Sequence, residues 1–141
     1  MEPLKLHVSI SGDDFGEGTE DAPFATIERA RDEVAACLRK GPAKPITVII
    51  HSGTYFQERT IELDGAVSGT SGAPVTFSAA PGEHVVISGG RPVTDWRREE
   101  GTEDLWVANA PSSDAFRTLQ VGGRLAERAR YPSADTEDRI Q

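Results

Sequence analysis

Four arginines, Arg117, Arg124, Arg128 and Arg130, crowd one segment near the end of the chain, with Glu127 the acidic residue among them. A guanidinium presents a planar two-pronged donor that matches carboxylates and sulfates. This basic segment in an acidic chain therefore suits uronic acids or sulfated sugars. Tyr131 beside it and Trp96 upstream carry flat apolar faces that can stack on pyranose rings. The competing reading is packing and pairing. Arg128 and Arg130 alternate as if along a strand and can pair with acidic loops, and Trp106, between Leu105 and Val107, reads as core.

The carboxylates fall into two runs. Asp13, Asp14, Glu17, Glu20 and Asp21 share a glycine-rich stretch, and Glu99, Glu100, Glu103 and Asp104 form the second. Cleavage of a glycosidic bond normally takes two carboxyl groups about 5 to 9.5 Å apart, and no such pair is identifiable, so no catalytic residue is assigned. Both runs read as solvated loops. Asp13, Asp14 and Glu17 offer oxygens of the kind calcium takes, but their spacing is not that of an EF-hand loop. His7, His51 and His84 are scattered, without the short spacing of zinc ligands. No metal and no cofactor are expected. His51 ends a hydrophobic run and reads as a structural histidine, and the single Cys37 as an inert thiol in a helix. No Ser-His-Asp order, phosphate-binding glycine loop or dinucleotide fingerprint is present.

These residues sit in a chain of 141, enough for one ordinary core. Fifteen Lys and Arg against 23 Asp and Glu give a net charge of −8, which repels polyanions and argues against nucleic acid as a partner. No apolar run approaches the roughly 20 residues of a membrane span. The start, Met-Glu-Pro-Leu-Lys, has no secretory pattern, so either the chain as given is cytoplasmic or a leader has been trimmed from it.

Leu4, Leu6, Val8 and Ile10 alternate with polar residues and predict a strand with one buried face. Residues 11–23 predict a surface loop. Thr26 is the expected cap of a helix whose stripe is Ile27, Ala30, Val34 and Leu38, ended by Gly41 and Pro42. Short strands are predicted at 46–50, 60–63, 75–79, 85–88, 105–108 and 118–121. Those starting at Ile46, Val75 and Leu105 recur at a near-constant spacing that suits a solenoid, although a β-sandwich also yields short strands between turns.

Several blocks carry a resemblance. Residues 21–32 (DAPFATIERARD) and 46–55 (ITVIIHSGTY) resemble the opening of right-handed parallel β-helix proteins of the pectate lyase-like, carbohydrate-active group. Residues 73–83 (APVTFSAAPGE), 85–90 (VVISGG), 105–108 (LWVA) and 116–132 (FRTLQVGGRLAERARYP) resemble the next segments of that group, most of all in bacterial β-helix glycoside hydrolases.

The resemblance implies a mainly β fold with one capping α-helix, the N-terminal cap and first coils of a right-handed parallel β-helix. One domain over 1–141 is expected: strand, loop and capping helix over 1–45, coils over 46–132 with an insertion near 91–117, and a polar tail over 133–141. It implies a polysaccharide or oligosaccharide as partner and places the catalytic acids on later coils, so this chain alone is expected to be inactive. Hydrolase and lyase both remain open. The alternative is a non-catalytic module that binds glycans or mediates assembly. An open solenoid end, with its unpaired strand edges, would invite homo-oligomers.

Overall fold

A computed structural model describes residues 2–41, 44–110 and 118–127. The chain divides into two compact units, one ending at Pro92 and one beginning at Val93. It is mainly β, with one α-helix. No helix among the described residues is long and apolar enough to cross a membrane.

In the first unit, β1 (Leu4–Val8), β2 (Ile46–Ile50) and β4 (Val75–Ala79) form one parallel sheet in the order β1-β2-β4. Its register aligns Leu4, Ile46 and Val75, then Leu6, Val48 and Phe77, then Val8, Ile50 and Ala79. Because side chains alternate along a strand, these rows share one face, and Leu6, Val8, Ile46, Val48 and Ile50 are buried there. A second parallel pair joins β3 (Gly53–Phe56) to β5 (Val85–Ser88). Parallel pairing of its named strands separates this unit from the antiparallel sandwich that spacing alone allowed.

The stretch 46–56 resolves into two strands that belong to different sheets, with the corner at His51 and Ser52. Gly53 permits the corner. Its φ is +149°, and a Cβ there would stand 2.7 Å from Ile10 Cγ2. Tyr55 points inward from β3 and donates its hydroxyl to the carbonyl of His51 at 2.8 Å.

Helix α1 (Ile27–Lys40) begins at Thr26, whose side chain accepts from Arg29 N, and ends at Gly41. Glu28 in the first turn and Arg39 and Lys40 in the last complement the helix dipole. Ile27, Ala30 and Val34 are buried in the same cluster as the β1–β2 rows, whereas Leu38 is half-buried. Burial of that stripe stabilises the helix beyond what propensity supplies.

Residues 11–24 fold back on the free edge of β1. His7 N donates to Gly18 O at 2.8 Å, Phe24 N to His7 O at 2.9 Å and Ser9 N to Phe24 O at 2.8 Å. The loop thereby satisfies backbone groups that an open edge would leave for another chain.

Three strand expectations are corrected. Residues 60–63 are irregular, and the pairing with β5 is taken by Gly53–Phe56 instead. The Leu105 segment does not join the β1-β2-β4 sheet. It supplies β7 (Trp106–Val107), antiparallel to β6 (Arg97–Arg98) in the second unit, so the near-constant spacing holds only for Ile46 and Val75. The strand expected over 118–121 shortens to β8 (Gln120–Val121), which returns through Gly122 and Gly123, both at positive φ, into β9 (Arg124–Leu125). Consecutive positive φ values are those of a type I′ hairpin turn. The segment with Arg128 and Arg130 and the tail 133–141 lie outside the described residues.

Candidate functional site

Of the residues singled out from sequence for sugar contact, Arg117, Arg128, Arg130 and Tyr131 lie outside the described residues. Arg124 is exposed on β9. Trp96 is 44% exposed, and its indole Nε1–H donates to Val93 O at 2.9 Å, which fixes the ring against its own turn. Among the described residues no hydrogen bond or ion pair joins Trp96 to Arg124.

Trp106, a core residue by its apolar neighbours in sequence, is instead 52% exposed. Among the described residues, the two-residue strand that carries it pairs only with β6. Arg98 stands opposite Trp106 in the register, with its guanidinium carbon 5.6 Å from the ring centroid. Such a cation–π contact is worth about 0.5–1 kcal/mol when exposed. It presents an aromatic face and a forked cation together, the two features the sequence offered only as separate residues. The link was hard to read because residues 99–105, which join the strands, are acidic and lack a two-residue turn signature.

The first unit carries an open groove of about 700 Å³, inside the range of about 300–1,000 Å³ common for small-molecule sites. Helix α1 contributes Glu28, Arg31 and Asp32 to it, and the chain through and after β3 contributes Phe56, Gln57 and Glu58. Phe56 is 47% exposed. With its amide nitrogen toward the helix, Gln57 donates to Glu28 Oε1 at 2.6 Å and Oε2 at 3.1 Å. Arg31 donates to Asp32 Oδ1 from Nε at 3.0 Å and from a terminal nitrogen at 2.7 Å. The two helix carboxylates are thus engaged as acceptors. This arrangement places hydrogen-bonding groups around an aromatic face. Sequence reading missed the groove because its walls lie far apart in the chain.

The acidic loop is structural where its carboxylates are bonded. Asp14 Oδ1 accepts from Ala25 N at 2.8 Å and Thr26 N at 2.9 Å, and Oδ2 accepts from the Thr26 hydroxyl at 2.8 Å. Asp13 accepts from Phe15 N within its own turn. Among the described residues no group of three or more His, Cys, Asp or Glu side chains is arranged to hold a metal ion.

Across the corner after β2, three side chains from successive rungs line up. His7 Nδ1 lies 3.1 Å from His51 Nε2, and His51 Nδ1 lies 3.1 Å from Glu83 Oε1. The imidazole centroids are 5.3 Å apart, with 20° between the ring planes. His7 is buried, and burial, then the neighbouring His51, pushes its pKa down. Ser52 N donates to Glu83, and this bond, together with the one from His51, holds the Glu83 carboxyl below the usual range. His51 thus has a partner on each ring nitrogen at the end of β2.

Known proteins share this architecture. Over 84 residues the chain is 42% identical to the uncharacterized protein YwoF of Bacillus subtilis (strain 168) and 34% identical to pectate lyase PEL9 of Emericella nidulans. A solved structure titled glycoside hydrolase covers 90% of the chain at 30% identity and a TM-score of 0.80. The chain is a relative of pectate lyase-like, carbohydrate-active proteins. It spans a small part of each: 15% of YwoF, 18% of the pectate lyase and 22% of the glycoside hydrolase. No protein-family model matches it.

Proposed function

We propose that this chain forms the cap and first coils of a right-handed parallel β-helix in a polysaccharide-active protein, a glycoside hydrolase before a lyase. The observation that carries the reading is the pair of in-register parallel ladders, β1-β2-β4 and β3-β5. It is supported by the TM-score of 0.80 against a structure titled glycoside hydrolase. In this reading α1 plugs the first rung, residues 46–132 are the coil-forming stretch with an insertion near 91–117, and the substrate is a plant or microbial polysaccharide. The acid and the base or nucleophile come from outside these residues, so the chain by itself cleaves nothing.

A second reading is a non-catalytic glycan-binding or assembly module. The exposed Arg98–Trp106 pair and the Phe56 groove favour it. Affinity electrophoresis through gels carrying pectate, xylan or a neutral glucan separates the two. The first reading predicts no retardation in any gel. Retardation that Trp106→Ala or Phe56→Ala abolishes establishes the second.

A further inference from the structure

We propose that the His7–His51–Glu83 column is a proton-operated latch that holds the 11–24 loop, and with it the start of α1, against β1, and that opens when both imidazoles are protonated. An ionised carboxylate only accepts hydrogen bonds, so His51 Nδ1 carries the proton it shares with Glu83 Oε1. In the neutral column His51 Nε2 is then bare and accepts, which makes His7 Nδ1 the donor across 3.1 Å and leaves His7 Nε2 without a proton. One added proton is accommodated. It sits on His51 Nε2 and donates back to His7 Nδ1, whose own proton moves to Nε2. A second added proton places two N–H groups face to face on adjacent cations, and the bond between the rungs is lost.

The consequence reaches the loop through the backbone of His7. Its N–H donates to Gly18 O and its carbonyl accepts from Phe24 N, so displacement of the ring strains the bonds that tie the middle and the end of this segment to the β1 edge. The charged and titratable groups facing the column are Lys5 from β1, Glu20 from the loop, Glu83 from the β4–β5 turn and Tyr55 from β3. Lys5 opposes protonation of His7, and Glu20 favours it. Burial raises the Tyr55 hydroxyl pKa, which keeps that donor neutral here. His7 binds its proton less readily folded than unfolded, so its contribution to stability is complete above about pH 6.5. It is lost as the pH falls from there through the lower folded value.

Two measurements on the full chain test the latch. Amide hydrogen exchange, corrected for intrinsic rates, should show protection of His7, Ser9 and Phe24 falling about tenfold for each unit of His7 depression as the pH drops from 8 to 5. The β2 amides should lag, and His7→Gln should flatten the dependence. Nitrogen-resolved NMR of the wild-type imidazoles gives the second readout, independent of whether the variant folds. At pH 8 both His7 and His51 should be protonated at Nδ1 alone, with His7 titrating below 6.5. An Nε2-protonated His7 at pH 8, protection that does not change with pH, or an unaltered pH profile in folded His7→Gln overturns the proposal.

Discussion

Asp14 shows how one carboxylate can organise a turn, a cap and a helix. Its two oxygens take up the N–H groups of Ala25 and Thr26 and the Thr26 hydroxyl, while its own carbonyl accepts from Arg29 Nε at 3.0 Å. The guanidinium so held lies 4.4 Å above the Phe24 ring. Negative charge at a helix start is favourable, and loss of a capping group typically costs about 0.5–2 kcal/mol. Asp14→Ala should therefore destabilise the chain by about 1–2 kcal/mol in urea unfolding. A change of only a few tenths would show that the clamp is replaceable by water. Composition gave no warning of this role. Asp14 sits among five acids and three glycines over residues 11–21, which read as a solvated loop, and the bonds it makes reach residues 11 and 12 positions away. The Thr26 cap was legible because capping is local. For the same reason the His7–His51 bond was not, its partners being 44 residues apart.

At the scale of elements, the middle rung decides the first unit. β2 pairs on both sides, with β1 and with β4, and Ile46, Val48 and Ile50 fill the space between the rows and α1. Ile50→Ala, at a residue 5% exposed between Val8 and Ala79, should cost about 2–5 kcal/mol. Thermal unfolding reads it, and a loss under about 1 kcal/mol would mean that the rung is loosely packed. β1, α1, β2, β4 and β5 were legible because each carries its own hydrophobic period within a few residues. β3 was hidden, since it follows β2 across a corner of two residues, opens on Gly53 and buries Tyr55 alone of its four residues. Leu105 and Trp106 matched a solenoid spacing yet pair in an antiparallel hairpin, because period alone does not choose a partner.

At the scale of the whole molecule, the ladders leave an unfinished end. Among the described residues β4 pairs only with β2, and β5 only with β3, while Leu63 and Ile87 are 60% and 55% exposed. Unpaired parallel edges beside exposed apolar side chains favour self-association. Sedimentation should show dimers or larger species at high concentration, reduced by Ile87→Lys, and a monomer throughout would remove the open end as a partner surface. The same geometry frames the functional account, in which the first coils lack the pair of carboxyls that cleavage requires. The most direct test is release of reducing ends by this chain from a panel of plant and microbial polysaccharides, with unsaturated products monitored in parallel for lyase action. The account predicts none above a heat-denatured control. Release from any polysaccharide would place a complete active site within these 141 residues and contradict it.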